Sequence, residues 1–139
     1  MAPKACTRHH GGMLNLLVAD DSELIRTRLV GVLHGIAGVD EIDTADTMTQ
    51  TLRCVEQKPP TLLILDLHLA DGNALRIIPT LKQLAPGMEV LVLTSDDSPF
   101  NRARCLQAGA DWFFDKATEF ENALLVVQLN AACEIASRH

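Results

Sequence analysis

Leu62-Leu63-Ile64-Leu65, followed by Asp66, is the stretch from which the rest of the chain can be read. Four consecutive large aliphatic residues after Pro59-Pro60-Thr61 leave no polar face, the pattern of a strand buried on both sides in the middle of a parallel sheet. Asp66 then stands at the carboxyl end of that strand. In open parallel α/β sheets the loops along this edge form a crevice where ligands bind, so a lone carboxylate there is a candidate functional group. It could equally start a loop or cap a helix. Which reading holds depends on the other polar residues that reach the same edge.

Working toward the amino terminus, Leu14 to Ala19 is a second apolar run, compatible with a buried first strand, and it ends in Asp20-Asp21. Ser22 can cap the helix that follows, whose residues Ile25, Leu29, Val32, Leu33 and Ile36 recur at helical spacing up to about Gly35. A short strand around Val39 to Thr44 carries Asp40, Glu41 and Asp43, which suit an edge position. Met48, Leu52 and Val55 mark a second helix, stopped by Pro59-Pro60.

Toward the carboxyl terminus, Asp71-Gly72-Asn73 is a turn signal, and Leu75, Ile78, Leu81 and Leu84 form the stripe of a third helix. Pro79 must kink that helix or begin a shortened one. Val90 to Leu93 is another fully apolar strand, with Thr94-Ser95 at its end. Ser98-Pro99 opens a fourth helix carrying Ala103, Leu106 and Ala108, and Gly109 closes it. Trp112-Phe113-Phe114 is the last strand, with Asp115 and Lys116 after it. Thr118-Glu119-Phe120-Glu121 has the form of a capping box opening a final helix through Phe120, Leu124, Val127 and Ala131. The alternation predicts a doubly wound five-stranded parallel sheet with helices on both faces.

A chain of 139 residues with 47% hydrophobic residues supports one domain, expected over residues 13–139 behind a flexible tail at 1–12. Its 18 acidic against 12 basic residues argue against direct nucleic-acid binding through a general charged surface. No run is long enough for a signal peptide or membrane insertion, which points to the cytoplasm. Cys6, Cys54, Cys105 and Cys133 form no C-x-x-C pair and read as reduced core or boundary residues.

In a doubly wound fold the residues after each strand share one edge of the sheet. Asp20 and Asp21, Asp66, Thr94 and Ser95, and Lys116 are then brought together. Clustered carboxylates repel unless a cation is present, and an all-oxygen site with few protein ligands suits Mg²⁺. A carboxylate nucleophile, a divalent ion, a lysine and a hydroxyl are the parts that phosphoryl transfer requires.

With these residues in order, the chain resembles the receiver domains of two-component response regulators, which have a flavodoxin-like, CheY-like fold. The resemblance runs from Leu14 to the last helix. It rests on Val18-Ala19-Asp20-Asp21-Ser22, on Leu65-Asp66-Leu67-His68-Leu69-Ala70-Asp71-Gly72, on Leu93-Thr94-Ser95, and on Gly109-Ala110-Asp111 leading through Phe113 to Lys116. It implies that Asp66 accepts a phosphoryl group from a histidine kinase or a histidine phosphotransfer protein in a phosphorelay. Mg²⁺ would be held by Asp20, largely through water, by Asp21 and Asp66, and by the backbone carbonyl of His68. Lys116 would pair with Asp66 and then with the phosphoryl oxygens, while Thr94 and Phe113 act as the switch. The fourth helix, fifth strand and fifth helix would form the face for a downstream partner or a homodimer, with Arg102, Arg104, Trp112 and Phe114 upon it. The only chemistry expected is the protein's own phosphorylation and dephosphorylation.

Three residues depart from the family pattern. Ala117 stands where Pro usually follows the lysine, Ala70 replaces a frequent Pro, and Phe113 lacks the hydroxyl of the common Tyr. His68, two residues past Asp66, and Asp96, two past Thr94, are candidates for modulating phosphoryl lifetime. The chain ends soon after the fifth helix, as expected of a stand-alone receiver, with a fragment of a transcription factor or hybrid kinase as the alternative. A Mg²⁺-dependent phosphohydrolase and a pseudo-receiver that never takes phosphate are the remaining alternatives.

Overall fold

The structure is a computed structural model and describes residues 14–96 and 98–137; the tail expected at 1–12 lies outside them. β1 spans Leu14–Ala19, α1 Glu23–His34, β2 Val39–Ala45, α2 Met48–Gln57 and β3 Leu62–Leu65. A two-residue ladder follows, β4 at His68–Leu69 and β5 at Gly72–Asn73, and a short 3₁₀ turn at Ala74–Ile77 leads into α3 at Ile78–Leu84. β6 covers Glu89–Thr94, α4 Pro99–Ala108, β7 Trp112–Asp115 and α5 Phe120–Ser137.

The five long strands form one sheet in the order β2-β1-β3-β6-β7, every neighbouring pair parallel. Because side chains alternate across a strand, the apolar runs feed two cores at once. On one face Leu17, Leu63, Leu65, Val90, Val92 and Phe113 pack with Val55 of α2, Ile78 and Leu81 of α3 and Cys105 of α4. On the other, Leu16, Val18, Leu62, Ile64, Leu91 and Leu93 meet Leu29 and Leu33 of α1 and Val126, Val127 and Ala131 of α5. β2 lies at an edge, as its acidic residues predict.

Local signals explain most element ends. Ser22 Oγ accepts from the Ile25 amide at 3.3 Å to open α1, and Ser98 Oγ from the Asn101 amide at 3.2 Å to open α4, with Pro99 as its first residue. Gly109 ends α4 at φ 121°, a conformation that L side chains rarely adopt. Pro79 lies in the first turn of α3, where its missing N–H breaks no helical bond, and the preceding residues wind as 3₁₀.

Two expectations are corrected. The box predicted at Thr118 does not form: in the turn between β7 and α5, Thr118 donates both its amide and its hydroxyl to Asp115 Oδ2 (2.9 and 2.6 Å), while Glu119 Oε1 accepts from the Asp115 amide at 3.0 Å. The hydroxyl that would accept from a helix amide is turned back to the end of β7 instead. Among the cysteines, Cys54 and Cys105 are free thiols, but Cys133 is disulfide-bonded. Cys6 lies outside the described residues. Burial and the charge of Asp96 push the Cys105 thiol up to about 11.

Candidate functional site

Strand register places the acidic residues before any side chain is considered. Ala19 of β1 pairs with Leu65 of β3, so Asp20 and Asp66 leave adjacent strands at the same level. The chain turns from β1 to β2 on one side and onward to β3 on the other, which makes this the switch point where a doubly wound sheet opens a crevice. Backbone bonds extend the ladder past the strand ends: the Asp66 amide donates to the Ala19 carbonyl at 2.9 Å and the Asp20 amide to the Ala45 carbonyl at 3.0 Å. On the far side Thr94 pairs with Asp115, and the Lys116 amide donates to the Thr94 carbonyl at 2.9 Å.

The side chains converge accordingly. Asp20, Asp66 and Thr94 are buried, at 2%, 4% and 0% exposure, in a region where the same strands are otherwise apolar. Lys116 Nζ bridges the two carboxylates, 2.7 Å from Asp20 Oδ2 and 2.8 Å from Asp66 Oδ2. Burial opposes the ammonium charge, but the hydrogen bonds and charges of Asp20 and Asp66 outweigh it and raise the Lys116 pKa above that of a free lysine. Burial also pushes the Asp20 carboxyl up, helped by the nearby Asp66 charge and opposed by the Lys116 and Ser22 hydrogen bonds.

Asp21 is exposed at the mouth of this cluster, and carboxylate oxygens of Asp20, Asp21 and Asp66 lie within 4.8 Å of one another. Three hard oxygen donors open to solvent fit a divalent cation that retains water. The His68 amide donates to Asp66 Oδ1 at 3.2 Å, which leaves the His68 peptide beside the carboxylate. The Asp96 amide donates to the Thr94 hydroxyl at 3.2 Å.

The structure also brings together the two residues that the sequence names as modulating candidates, His68 and Asp96. His68 Nε2 lies 3.7 Å from Asp96 Oδ2, both side chains substantially exposed, so the pair spans the rim from the β3 side to the β6 side. Phe113 is buried beneath, with the Arg102 guanidinium over its ring at 5.1 Å. Arg102 in turn pairs with Glu119 at 3.2 Å.

Sequence reasoning missed two anchors. Arg26 reads as one of two arginines off the apolar face of α1, yet its Nη1 donates to the Asp20 carbonyl at 2.6 Å and so holds the acidic loop from behind. Its position on the first turns after the acid pair is the one available signal. Asp71 reads as part of a turn and of the motif after Asp66, with no role of its own, yet its carboxylate accepts from the Met48 amide at 2.6 Å and the Thr49 amide at 3.3 Å. It thereby ties the loop after Asp66 to the amino end of α2, where the helix dipole favours a negative charge. Those hydrogen bonds hold its carboxyl below the usual range.

Sheet order and helix placement define a flavodoxin-like α/β domain with an acidic crevice at its switch point. The sequence profile of the response regulator receiver domain matches residues 16–128, and the chain belongs to that family, the receivers of two-component systems. It is similar to a provisionally named transcriptional regulator of Pseudomonas aeruginosa, 34% identical over 84% of this chain and 56% of that protein. The chain therefore spans little more than half the length of this curated relative. Among solved structures it resembles a response regulator from Burkholderia pseudomallei, described with a phosphorylated aspartic acid, calcium ion and citrate. That match has a TM-score of 0.73 and 29% identity, covering 86% of this chain and 69% of that one. A CheY-like receiver domain protein from Methanospirillum hungatei shares the fold, with a TM-score of 0.77 at 23% identity over 89% and 98% of the two chains.

Proposed function

We propose that Asp66 is the phosphoacceptor of this receiver and that the donor is a phosphohistidine of a histidine kinase or histidine phosphotransfer protein. The observation that carries this reading is the buried Asp66 carboxylate at the end of the central strand, bridged to Asp20 by Lys116. A carboxylate oxygen of Asp66 attacks phosphorus as the phosphorus–nitrogen bond of a phosphohistidine protonated on its other ring nitrogen breaks, the bonding pair staying on nitrogen, which leaves an acyl phosphate on Asp66 and a neutral imidazole on the donor. Lys116 moves from the carboxylate to the phosphoryl oxygens, and Arg26 keeps the Asp20 backbone in place. Asp20, Asp21, Asp66 and the His68 carbonyl would hold Mg²⁺, which supplies charge neutralisation for the incoming phosphoryl group.

The new phosphoryl oxygens offer the Thr94 hydroxyl an acceptor, and its turn toward them alters the contact with the Asp96 amide. The Phe113 ring follows, and the change is read on the face of α4, β7 and α5 by a downstream protein or a second receiver. On that face Leu106, Trp112, Leu125 and Leu129 expose apolar surface. His68 and Asp96 flank the approach of water and set the phosphoryl lifetime. Catalysis by the protein is confined to gaining and losing its own phosphoryl group. No helix among the described residues is long and apolar enough to cross a membrane, which supports a cytoplasmic setting for this exchange.

Intact mass after incubation with acetyl phosphate and Mg²⁺ tests the central step. One phosphoryl adduct is expected on the wild type, absent in Asp66→Asn and absent when the metal is chelated. An unmodified wild type, or an adduct that survives in Asp66→Asn, would overturn the assignment.

A further inference from the structure

Charge is unevenly distributed over this acidic protein. Residues 72–88 and 98–110, which build β5, the 3₁₀ turn, α3 and α4, contain none of its 18 acidic residues but include Arg76, Lys82, Arg102 and Arg104. Lys82 is engaged by Asp111 and the Met88 carbonyl, and Arg102 by Glu119. Arg76 and Arg104 remain exposed and form no ion pair among the described residues. Both line a groove of about 560 Å³ between the 3₁₀ turn, α3 and α4, with Leu75, Pro79 and Ala108 as its apolar lining. Phe100 stands on its wall 67% exposed, with the Arg104 guanidinium 5.2 Å over its ring.

We propose that this groove docks an acidic, amphipathic helical segment of a partner protein, with an apolar side chain on Leu75, Pro79 and Ala108 and flanking carboxylates on Arg76 and Arg104. Three features of the groove select that occupant. Its lining is apolar between two cations, which matches a helix presenting one aliphatic anchor with acids a turn away on either side. Stacking on Phe100 restrains the Arg104 fork, so less side-chain freedom is lost when a carboxylate binds it bidentately. The rest of the surface is acidic and repels an extended polyanion such as nucleic acid, while a short acidic cluster confined to the groove escapes that repulsion. The proposal is independent of phosphoryl transfer, and binding is read on the unmodified protein.

The probe is a fluorescein-labelled helical peptide with one leucine flanked by glutamates one turn away on each side, measured by anisotropy. Saturable binding is expected, weakened about tenfold by Arg76→Glu or Arg104→Glu and also reduced by Phe100→Ala. The exposed Arg53→Glu on α2 should bind as the wild type does, and a glutamine version of the peptide should not bind. Circular dichroism on each variant confirms that these exposed substitutions leave the fold intact. Absence of saturable binding, or an equal loss in Arg53→Glu, would overturn the proposal. So would tighter binding of a single-stranded oligonucleotide that the same two arginine variants abolish.

Discussion

Along β3 the side chains from Leu62 to Leu65 are 0–3% exposed and wholly apolar, and the next residue, Asp66, is 4% exposed and carries a carboxylate. Along β6, Val90 to Leu93 lead in the same way to the buried hydroxyl of Thr94. Interior and carboxyl edge belong to the same strands and are equally hidden from water, but they differ in what burial does. A buried leucine side chain stabilises the fold by about 1.5–3 kcal/mol relative to exposure. A buried carboxylate costs several kcal/mol in desolvation unless a partner offsets it, here the single ammonium of Lys116. The strand bodies therefore hold the molecule together, while their ends hold a cluster that is stable only when positive charge is supplied. This division would let the edge respond to the proposed phosphoryl group or cation without threatening the core.

The contrast can be tested in decreasing order of effect on stability. Leu63→Ala should be the most damaging, with a loss of about 4 kcal/mol in denaturant unfolding, because it opens a cavity between the sheet and α2 and α3. A loss comparable to a surface substitution would mean that the strand bodies do not carry the fold. Lys116→Met should cost about 2–3 kcal/mol in chelating buffer by leaving Asp20 and Asp66 without their cation. Added Mg²⁺ should recover more stability in this variant than in the wild type, and thermal melts that ignore the metal would contradict a carboxylate cluster starved of charge. His68→Ala, at the exposed rim, should change stability by less than about 0.5 kcal/mol yet alter the rate of dephosphorylation. An unchanged phosphoryl lifetime would remove His68 from the modulating role.

Much of the fold was legible because its signals are local. Burial on both faces leaves Leu62 to Leu65 no polar residue, helical spacing marks α1 and α5, and Ser98-Pro99 and Gly109 bracket α4. The capping box expected at Thr118 does not form because its hydroxyl donates to Asp115, at the end of the preceding strand. The candidate site was legible to the extent that one rule, strand ends share an edge, gathers Asp20, Asp21, Asp66, Thr94 and Lys116. What that rule omits is anything reaching the site from elsewhere, such as the guanidinium of Arg26 on the Asp20 carbonyl.

By itself the sequence determined the alternation of strands and helices, the two buried central strands and the identity of the groups at their ends, since periodicity and residue type act over a few neighbours. Only the tertiary structure decided that Lys116 bridges Asp20 and Asp66, that His68 faces Asp96, that Asp71 seals α2, and that Arg76 and Arg104 share a groove. Each of these contacts joins different elements. Their distances follow from parallel register and helix packing, which the local pattern constrains without specifying.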